Sequence, residues 1–237
     1  MSVSDWLEKK RPGRRVEGLA ACLLPFEPDG KMAEAAFREA VNRTDEAGLG
    51  CAVNMDTGYA NYIEPDERTE VLRWTSGTLG SGKFFAAGAF VEGREGDLED
   101  LYRREMDEIV SFGGTPVVFQ TTRFHDWEAQ KIVDLYASIC EPYPEVIGFE
   151  LGRVFAPFGM IYEEEVVRGL PAVALVPRPP VRPLARPAAV EDGAALGAPA
   201  LGGRRRSGLT ARATGAIWVR DKSLGRAIAI AAALIAG

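Results

Sequence analysis

The chain has 237 residues, of which 46% are hydrophobic and 9% are aromatic, enough for one large domain with an apolar core. Its net charge of −6 and isoelectric point near 5.1 argue against a nucleic-acid surface across the whole chain, because such a surface needs a basic field to meet phosphates. We therefore predict a small-molecule partner and no nucleic-acid partner.

The ends of the chain carry no predicted membrane segment. Residues 1–17 form a charged arm without the apolar stretch of a secretory signal. The most apolar stretch, residues 227–237, falls short of the roughly 20 residues needed to span a bilayer. The three cysteines lack the spacing of a zinc site, and the chain has a single histidine, so we predict buried thiols in a reducing, cytoplasmic compartment.

Residues 18–170 repeat one pattern, a short apolar strand followed by an amphipathic helix. The predicted strands are 18–26, 50–56, 84–92, 115–122 and 146–152. The predicted helices are 31–48, 65–80, 97–113 and 125–142. Strands that are apolar on both faces are typical of a parallel sheet covered by helices, and the alternation predicts βαβ units.

Both an open doubly wound sheet and a closed (β/α)8 barrel fit this alternation. The first strand is followed by LLPFEPDG, without the G-x-G-x-x-G turn of dinucleotide-binding sheets. The sequence therefore favours an α/β fold of the TIM-barrel class, incomplete, with about five to six units.

The composition changes after Leu170. Residues 171–237 hold seven of the fifteen prolines, and nine arginines and one lysine stand there against three acidic residues. So much proline with so few large apolar residues is not expected to build further barrel units. Two interpretations remain: a disordered tail with a short helix at 221–236, or a shifted reading frame, which translation of the other two frames past Leu170 would test.

Polar residues end the second predicted strand abruptly, in the stretch CAVNMDTGYANY at 51–62. Catalytic loops of α/β enzymes follow strands in this way. The alternative is that Asp56 and Thr57 only cap a turn. Glu150 ends the fifth predicted strand, near the mouth of the expected barrel, and is a candidate ligand or base.

The first half resembles the dihydrodipicolinate synthase and N-acetylneuraminate lyase family of class I aldolase barrels. The resemblance rests on LLPFEPDG, the strand ending in DTGY, the helix start EPDERTEVLRWT, and FFAAGAF, and it covers roughly residues 18–152. It implies an aldolase-type TIM barrel and a carbon–carbon lyase or aldol synthase acting on a pyruvate-like 2-oxo acid through a lysine Schiff base. It also implies no metal or organic cofactor and a homo-oligomeric assembly.

The resemblance assigns binding of the substrate carboxylate to Thr57 and Gly58. A hydroxyl and backbone N–H groups in a tight turn can hold such a group without filling the site. Asp56 and Tyr59 flank this pair where the family has small hydroxyl residues, so the substrate is expected to differ from pyruvate. Asp56 would repel the substrate carboxylate unless the Asp56 carboxyl is protonated or turned away from the site.

Two catalytic groups of the family have no counterpart in the sequence. The proton-relaying tyrosine at the end of the fourth strand is replaced by Phe119 and Gln120; Gln120 can hydrogen-bond a substrate oxygen but cannot relay a proton, and Tyr59 is a possible substitute. No lysine matches the Schiff-base position near the end of the sixth strand. The lysines are Lys9, Lys10, Lys31, Lys83, Lys131 and Lys222.

Three functional hypotheses follow. The first is a lyase whose Schiff-base lysine is missing because the reading frame is shifted after Leu170, so that the chain as written is inactive. The second is a vestigial, non-catalytic barrel fragment. The third is a metal-dependent barrel using Asp56, His125 and Glu150, although these residues have no recognised ligand spacing.

Overall fold

Five parallel strands lie side by side in chain order in the computed structural model, which describes residues 16–153, 155–173, 217–221 and 231–232. The strands are β1 (Val16–Ala21), β2 (Gly50–Val53), β3 (Phe85–Ala89), β4 (Thr115–Val118) and β5 (Ile147–Glu150). Each is paired in parallel with the next, and together they form a curled half-barrel. The prediction of an incomplete TIM barrel is confirmed.

A helix follows each of these strands. The helices are α1 (Glu34–Glu46), α2 (Pro65–Leu79), α3 (Leu98–Ser111), α4 (Ala129–Cys140) and α5 (Glu164–Val173). Their starts follow from the sequence: Pro65 opens α2 behind a reciprocal capping box of Glu64 and Glu67, and the Asp97 side chain accepts from the Asp100 N–H at the start of α3.

The predicted helix 125–142 starts later than expected. Residues Thr122–Asp126 form a 3-10 turn instead, whose first N–H groups are held by side chains: the Thr121 hydroxyl accepts from the Arg123 N–H, and a Glu92 carboxylate oxygen accepts from the Thr122 N–H at 2.8 Å. These local bonds compete with the helical pattern. His125 therefore lies in a turn and not at a helix start.

The sheet separates two apolar cores. The outer core lies between the strands and the helices and contains Phe37, Val41, Tyr102, Ile109 and Tyr136, among others. The inner core lines the concave side of the half-barrel. Because both faces are covered, all five residues of β3 are buried, as the apolar strand patterns predicted.

Two further strands lie at the ends of the sheet, within the segment predicted to be a tail. β6 (Ile217–Asp221) pairs antiparallel with β1, and β7 (Ala231–Ala232) pairs in parallel with β5. The antiparallel pair differs from the all-parallel closure of a TIM barrel. Apart from these strands and the last turn of α5, the predicted tail and the question of its reading frame lie outside the described residues. Within the described ranges, no helix is both long and apolar enough to cross a membrane.

Candidate functional site

The segment that follows β2, residues 54–59, is here called the β2 turn. The strand ends at Val53, earlier than predicted, because Asn54 turns into the left-handed region with φ 50°, and Asp56–Gly58 then form a 3-10 turn. Tyr59 closes the turn at φ 61°. Asparagine adopts the left-handed region more readily than most residues, whereas a left-handed tyrosine costs about 1–2 kcal/mol, so the surrounding contacts have to hold Tyr59 in this conformation.

Close packing holds the β2 turn in place. Gly88 of β3 approaches so closely that a Cβ atom there would lie 2.2 Å from the Asn54 carbonyl oxygen. On the other side, the Asn54 Nδ2 donates to the Arg68 carbonyl oxygen at 3.1 Å. The Asn54 side chain is buried, and its Oδ1 has no hydrogen-bond partner in the described part of the chain.

Thr57 presents a buried hydroxyl that is not used by the fold. Its Oγ1 is shielded from solvent and has no hydrogen-bond partner among the described residues. The sequence analysis expected a free N–H at the neighbouring Gly58. In the structure this N–H donates to the Met55 carbonyl at 3.0 Å within the 3-10 turn. Of the predicted carboxylate-binding pair, the Thr57 hydroxyl is therefore the group whose hydrogen-bonding capacity the described residues leave unused.

Arg68 supports the β2 turn from behind. This residue, the second of the E-R pair in the sequence, is buried, and its Nη1 donates to the carbonyls of Ala60 at 3.3 Å and Ile63 at 2.9 Å. Its guanidinium carbon lies 5.7 Å from the centre of the Phe90 ring, within the range of a cation–π contact. The helix α2 is thus tied to the chain that leaves the β2 turn.

A buried carboxylate balances the charge of Arg68. Glu105 of α3 is buried, its Oε2 lies 3.8 Å from the Arg68 Nε, and its Oε1 accepts from Arg94. Burial raises the pKa of Glu105, and the two arginines oppose that rise. Burial likewise lowers the pKa of Arg68, and Glu105 opposes the fall. Each charge in this cluster depends on the others for its compensation.

Asp56 and Tyr59 flank the Thr57–Gly58 pair within the β2 turn. Burial raises the pKa of Asp56, and hydrogen bonds from backbone N–H groups offset only part of this rise. The Asp56 carboxyl is therefore more readily protonated than an exposed one. Tyr59 is 41% exposed, and its ring meets Phe26 edge-on at a centroid distance of 5.8 Å.

Gln120 and Glu150 are engaged in holding the segment after β5. Gln120 is fully buried; its Oε1 accepts from the N–H groups of Leu151 at 2.9 Å and Met160 at 3.3 Å, and its Nε2 donates to the Met160 carbonyl at 2.7 Å. Glu150 accepts from the Tyr162 N–H at 2.9 Å. Both predicted site residues already have protein partners.

Four phenylalanines fill the concave side of the half-barrel. Phe119 packs against Phe90, Phe149 and Phe158 with ring centroids 5.0–6.1 Å apart. Met55 and Ala60, at the two ends of the chain around the 3-10 turn, belong to the same apolar cluster. The inner wall bordering the β2 turn is therefore apolar.

The described lysines lie away from the inner core. The Lys31 side chain is 82% exposed and pairs with Asp29, Lys83 pairs with Asp45, and Lys131 lies over the Trp127 ring at 4.0 Å. Lys9, Lys10 and Lys222 lie outside the described residues.

The structure does not assemble the metal ligands of the third hypothesis. Across the described ranges, no three histidine, cysteine, aspartate or glutamate side chains come together in a group that could hold a metal ion. His125 instead contacts the Gly159 carbonyl through Nε2 at 3.2 Å, and its Nδ1 lies 3.4 Å from Arg153. Asp56, His125 and Glu150 are thus not a ligand set.

Structural comparison places this geometry among aldolase-type barrels. A protein from Pseudomonas aeruginosa named as a dihydrodipicolinate synthetase superposes with a TM-score of 0.55 at 17% identity, over 65% of this chain and 52% of that one. N-acetylneuraminate lyase from Fusobacterium nucleatum gives 0.51 at 17%, over 66% and 52%. Dihydrodipicolinate synthase from Rhodopseudomonas palustris gives 0.50 at 15%, over 64% and 48%.

These likenesses show that the chain has the fold of this class of barrel and spans about half the length of the solved structures. The fold expected from the sequence resemblance is confirmed. No family model and no curated protein sequence matches the chain.

Proposed function

We propose that the chain belongs to the dihydrodipicolinate synthase and N-acetylneuraminate lyase family and that its β2 turn binds the carboxylate of a small 2-oxo acid without lysine-imine catalysis. The buried, unpartnered hydroxyl of Thr57 carries this proposal. Leaving such a group unpaired costs about 1–3 kcal/mol. A ligand carboxylate that accepts from it would recover this energy.

The surroundings of Thr57 support a small acid with an apolar part. The hydroxyl lies on a turn at the carboxyl end of a barrel strand, where ligands of this fold bind. Met55 and Ala60 connect that turn to the phenylalanine-lined inner wall. The three described lysines contact Asp29, Asp45 and the Trp127 ring, away from the β2 turn. This supports binding of the 2-oxo acid without formation of an imine.

We expect Thr57→Val to weaken the binding of pyruvate, used as the probe, by roughly ten- to one-hundred-fold, as fits the loss of a hydrogen bond to a charged group. The variant should not lower the free energy of unfolding, because valine has the shape of threonine and removes an unpaired polar atom. Titration calorimetry and urea unfolding measure the two effects.

Thr75→Val is the control, since the Thr75 hydroxyl is also buried but donates to the Val71 carbonyl at 2.7 Å. It should leave pyruvate binding unchanged. Borohydride added to the wild-type protein with pyruvate should leave the protein mass unchanged; a stable adduct would show an imine and overturn the non-catalytic part. Equal binding by wild type and Thr57→Val would overturn the assigned site.

Binding of the carboxylate is expected to strengthen as pH falls. Asp56 has a pKa raised above its ordinary value of 3.8 by burial, and its ionised form repels the ligand, so protonation through that raised pKa removes the repulsion. Asp56→Asn should bind pyruvate more tightly than wild type at neutral pH and lose this pH dependence, measured by calorimetry over a pH series.

Asp29→Asn serves as the control for the pH series. Asp29 is an exposed acid in the loop after β1 whose pKa is lowered by its bond from Lys31, so this variant should keep the wild-type pH dependence. Weaker binding in Asp56→Asn at neutral pH would instead mean that the Asp56 carboxylate itself contacts the ligand.

A further inference from the structure

Two exposed aromatic rings meet beside the proposed carboxylate site. Phe26 lies in the loop after β1 and is 42% exposed, and its ring contacts that of Tyr59, the last residue of the β2 turn, at 5.8 Å. The two segments lie against each other, since a Cβ atom on Gly58 would be 3.2 Å from the Cys22 carbonyl oxygen. Phe26 and Tyr59 are here called the rim pair.

Backbone bonds hold Tyr59 on both sides. Its N–H donates to the Asp56 carbonyl at 3.1 Å, and its carbonyl accepts from the Tyr62 N–H at 2.8 Å. The Tyr59 ring belongs to neither apolar core. A ring fixed in this way loses little conformational freedom when a ligand contacts it. It lies only two residues beyond Thr57, where the proposed ligand carboxylate binds.

The inner wall offers no comparable exposed ring. Phe90, Phe119, Phe149 and Phe158 are at most 7% exposed and pack ring against ring. The methyl group of pyruvate needs little space beside the β2 turn, but a bulky substituent would have to displace these packed rings. A larger 2-oxo acid therefore has to place its substituent at the rim pair.

The charges near the rim pair disfavour an anionic substituent. Glu27 and Asp29 are exposed in the same loop as Phe26, Asp56 lies in the β2 turn, and Lys31 is already paired with Asp29. These carboxylates would repel a second carboxylate or a phosphate on the ligand. An uncharged aromatic group suits both the charges and the rings, because aromatic pairs are stabilised beyond the area they bury.

We propose that the rim pair selects 2-oxo acids with an uncharged aromatic substituent and that Tyr59 is the residue that determines this specificity. The inference rests on the proposed function, since the ligand carboxylate accepts from the Thr57 hydroxyl. The aromatic substituent then lies against the exposed surfaces of Tyr59 and Phe26.

Titration calorimetry of the full chain tests the selectivity with phenylpyruvate, pyruvate and 2-oxoglutarate as probes. Phenylpyruvate should bind roughly ten-fold more tightly than pyruvate, as fits one added aromatic contact. The second carboxylate of 2-oxoglutarate should make it the weakest of the three. Thr57→Val should weaken the binding of phenylpyruvate and pyruvate by the same factor.

Tyr59→Asn removes the ring and introduces a residue that readily adopts the left-handed conformation. In this variant phenylpyruvate should bind no more tightly than pyruvate. Phe26→Ala should reduce the preference several-fold, which tests the rim pair even if Tyr59→Asn does not fold. Tyr62→Asn is the control, since Tyr62 is 80% exposed and has no ring contact among the described residues; it should keep the wild-type preference.

The outcomes separate this inference from the proposed function. Equal affinity of the wild type for phenylpyruvate and pyruvate would overturn the selectivity and leave the proposed function standing. A preference that persists in both Tyr59→Asn and Phe26→Ala, or phenylpyruvate binding that Thr57→Val does not weaken, would place the aromatic acid elsewhere and overturn the inference. If none of the acids binds, the proposed function fails and the inference fails with it.

Discussion

Replacement of Arg68 by methionine is expected to lower the free energy of unfolding by about 3–5 kcal/mol, the range found when one partner of a buried ion pair is removed. The variant leaves Glu105 buried with Arg94 as its remaining partner and frees the carbonyls of Ala60 and Ile63. These carbonyls lie just beyond the β2 turn, so the turn should lose its support. We therefore expect the variant to lose pyruvate binding as well as stability. Urea unfolding and calorimetry measure the two effects.

Arg73→Met is the matched control for this prediction. Arg73 lies on the same helix, α2, with a 55% exposed side chain paired to Glu70, and an exposed pair of this kind contributes about 0–1 kcal/mol. The double variant Arg68→Met with Glu105→Gln should recover part of the loss, since no buried carboxylate then lacks one of its two arginine partners. A loss below about 1 kcal/mol in Arg68→Met would show that the turn is held by other contacts.

Replacement of Gln120 by leucine is expected to lower the free energy of unfolding by about 2–5 kcal/mol. Leucine has a similar volume but leaves the N–H groups of Leu151 and Met160 and the Met160 carbonyl without the amide partner, at roughly 1–3 kcal/mol for each group that finds no other. Hydrogen exchange should speed up in the segment 151–162, which the amide ties to β4.

Gln130→Leu is the control here, because Gln130 is exposed on α4 and bonds only Asp134 at 2.7 Å among the described contacts; we expect a change within about 0.5 kcal/mol. Gln120→Glu should be most stable at low pH. A carboxyl buried against the Met160 carbonyl has a raised pKa, so its stabilising neutral form is lost as pH rises through that pKa. If Gln120→Leu were as stable as wild type, the amide would be free to serve a ligand.

Hydrophobic periodicity determined most of the fold from the sequence. Strands that are apolar on both faces need cover on both sides, and this predicted the parallel sheet and the alternation of elements. The missing G-x-G-x-x-G turn and the resemblance favoured a barrel over an open sheet, and the cysteine spacing predicted the buried thiols. The polar stretch after β2 also located the turn that carries Thr57. These features follow from the order of apolar and polar residues along the chain, and the tertiary structure agrees with that order.

Tertiary structure decided which polar groups remain available. Gln120 and Thr57 are both polar residues at strand ends, yet Gln120 is fully bonded to Leu151 and Met160 whereas the Thr57 hydroxyl is unpartnered. Sequence reasoning placed Arg68 in a motif but not beneath the β2 turn, where it holds the carbonyls of Ala60 and Ile63. The reason is physical: the sequence fixes which face a side chain occupies, but the register and curvature of neighbouring strands fix which group it meets.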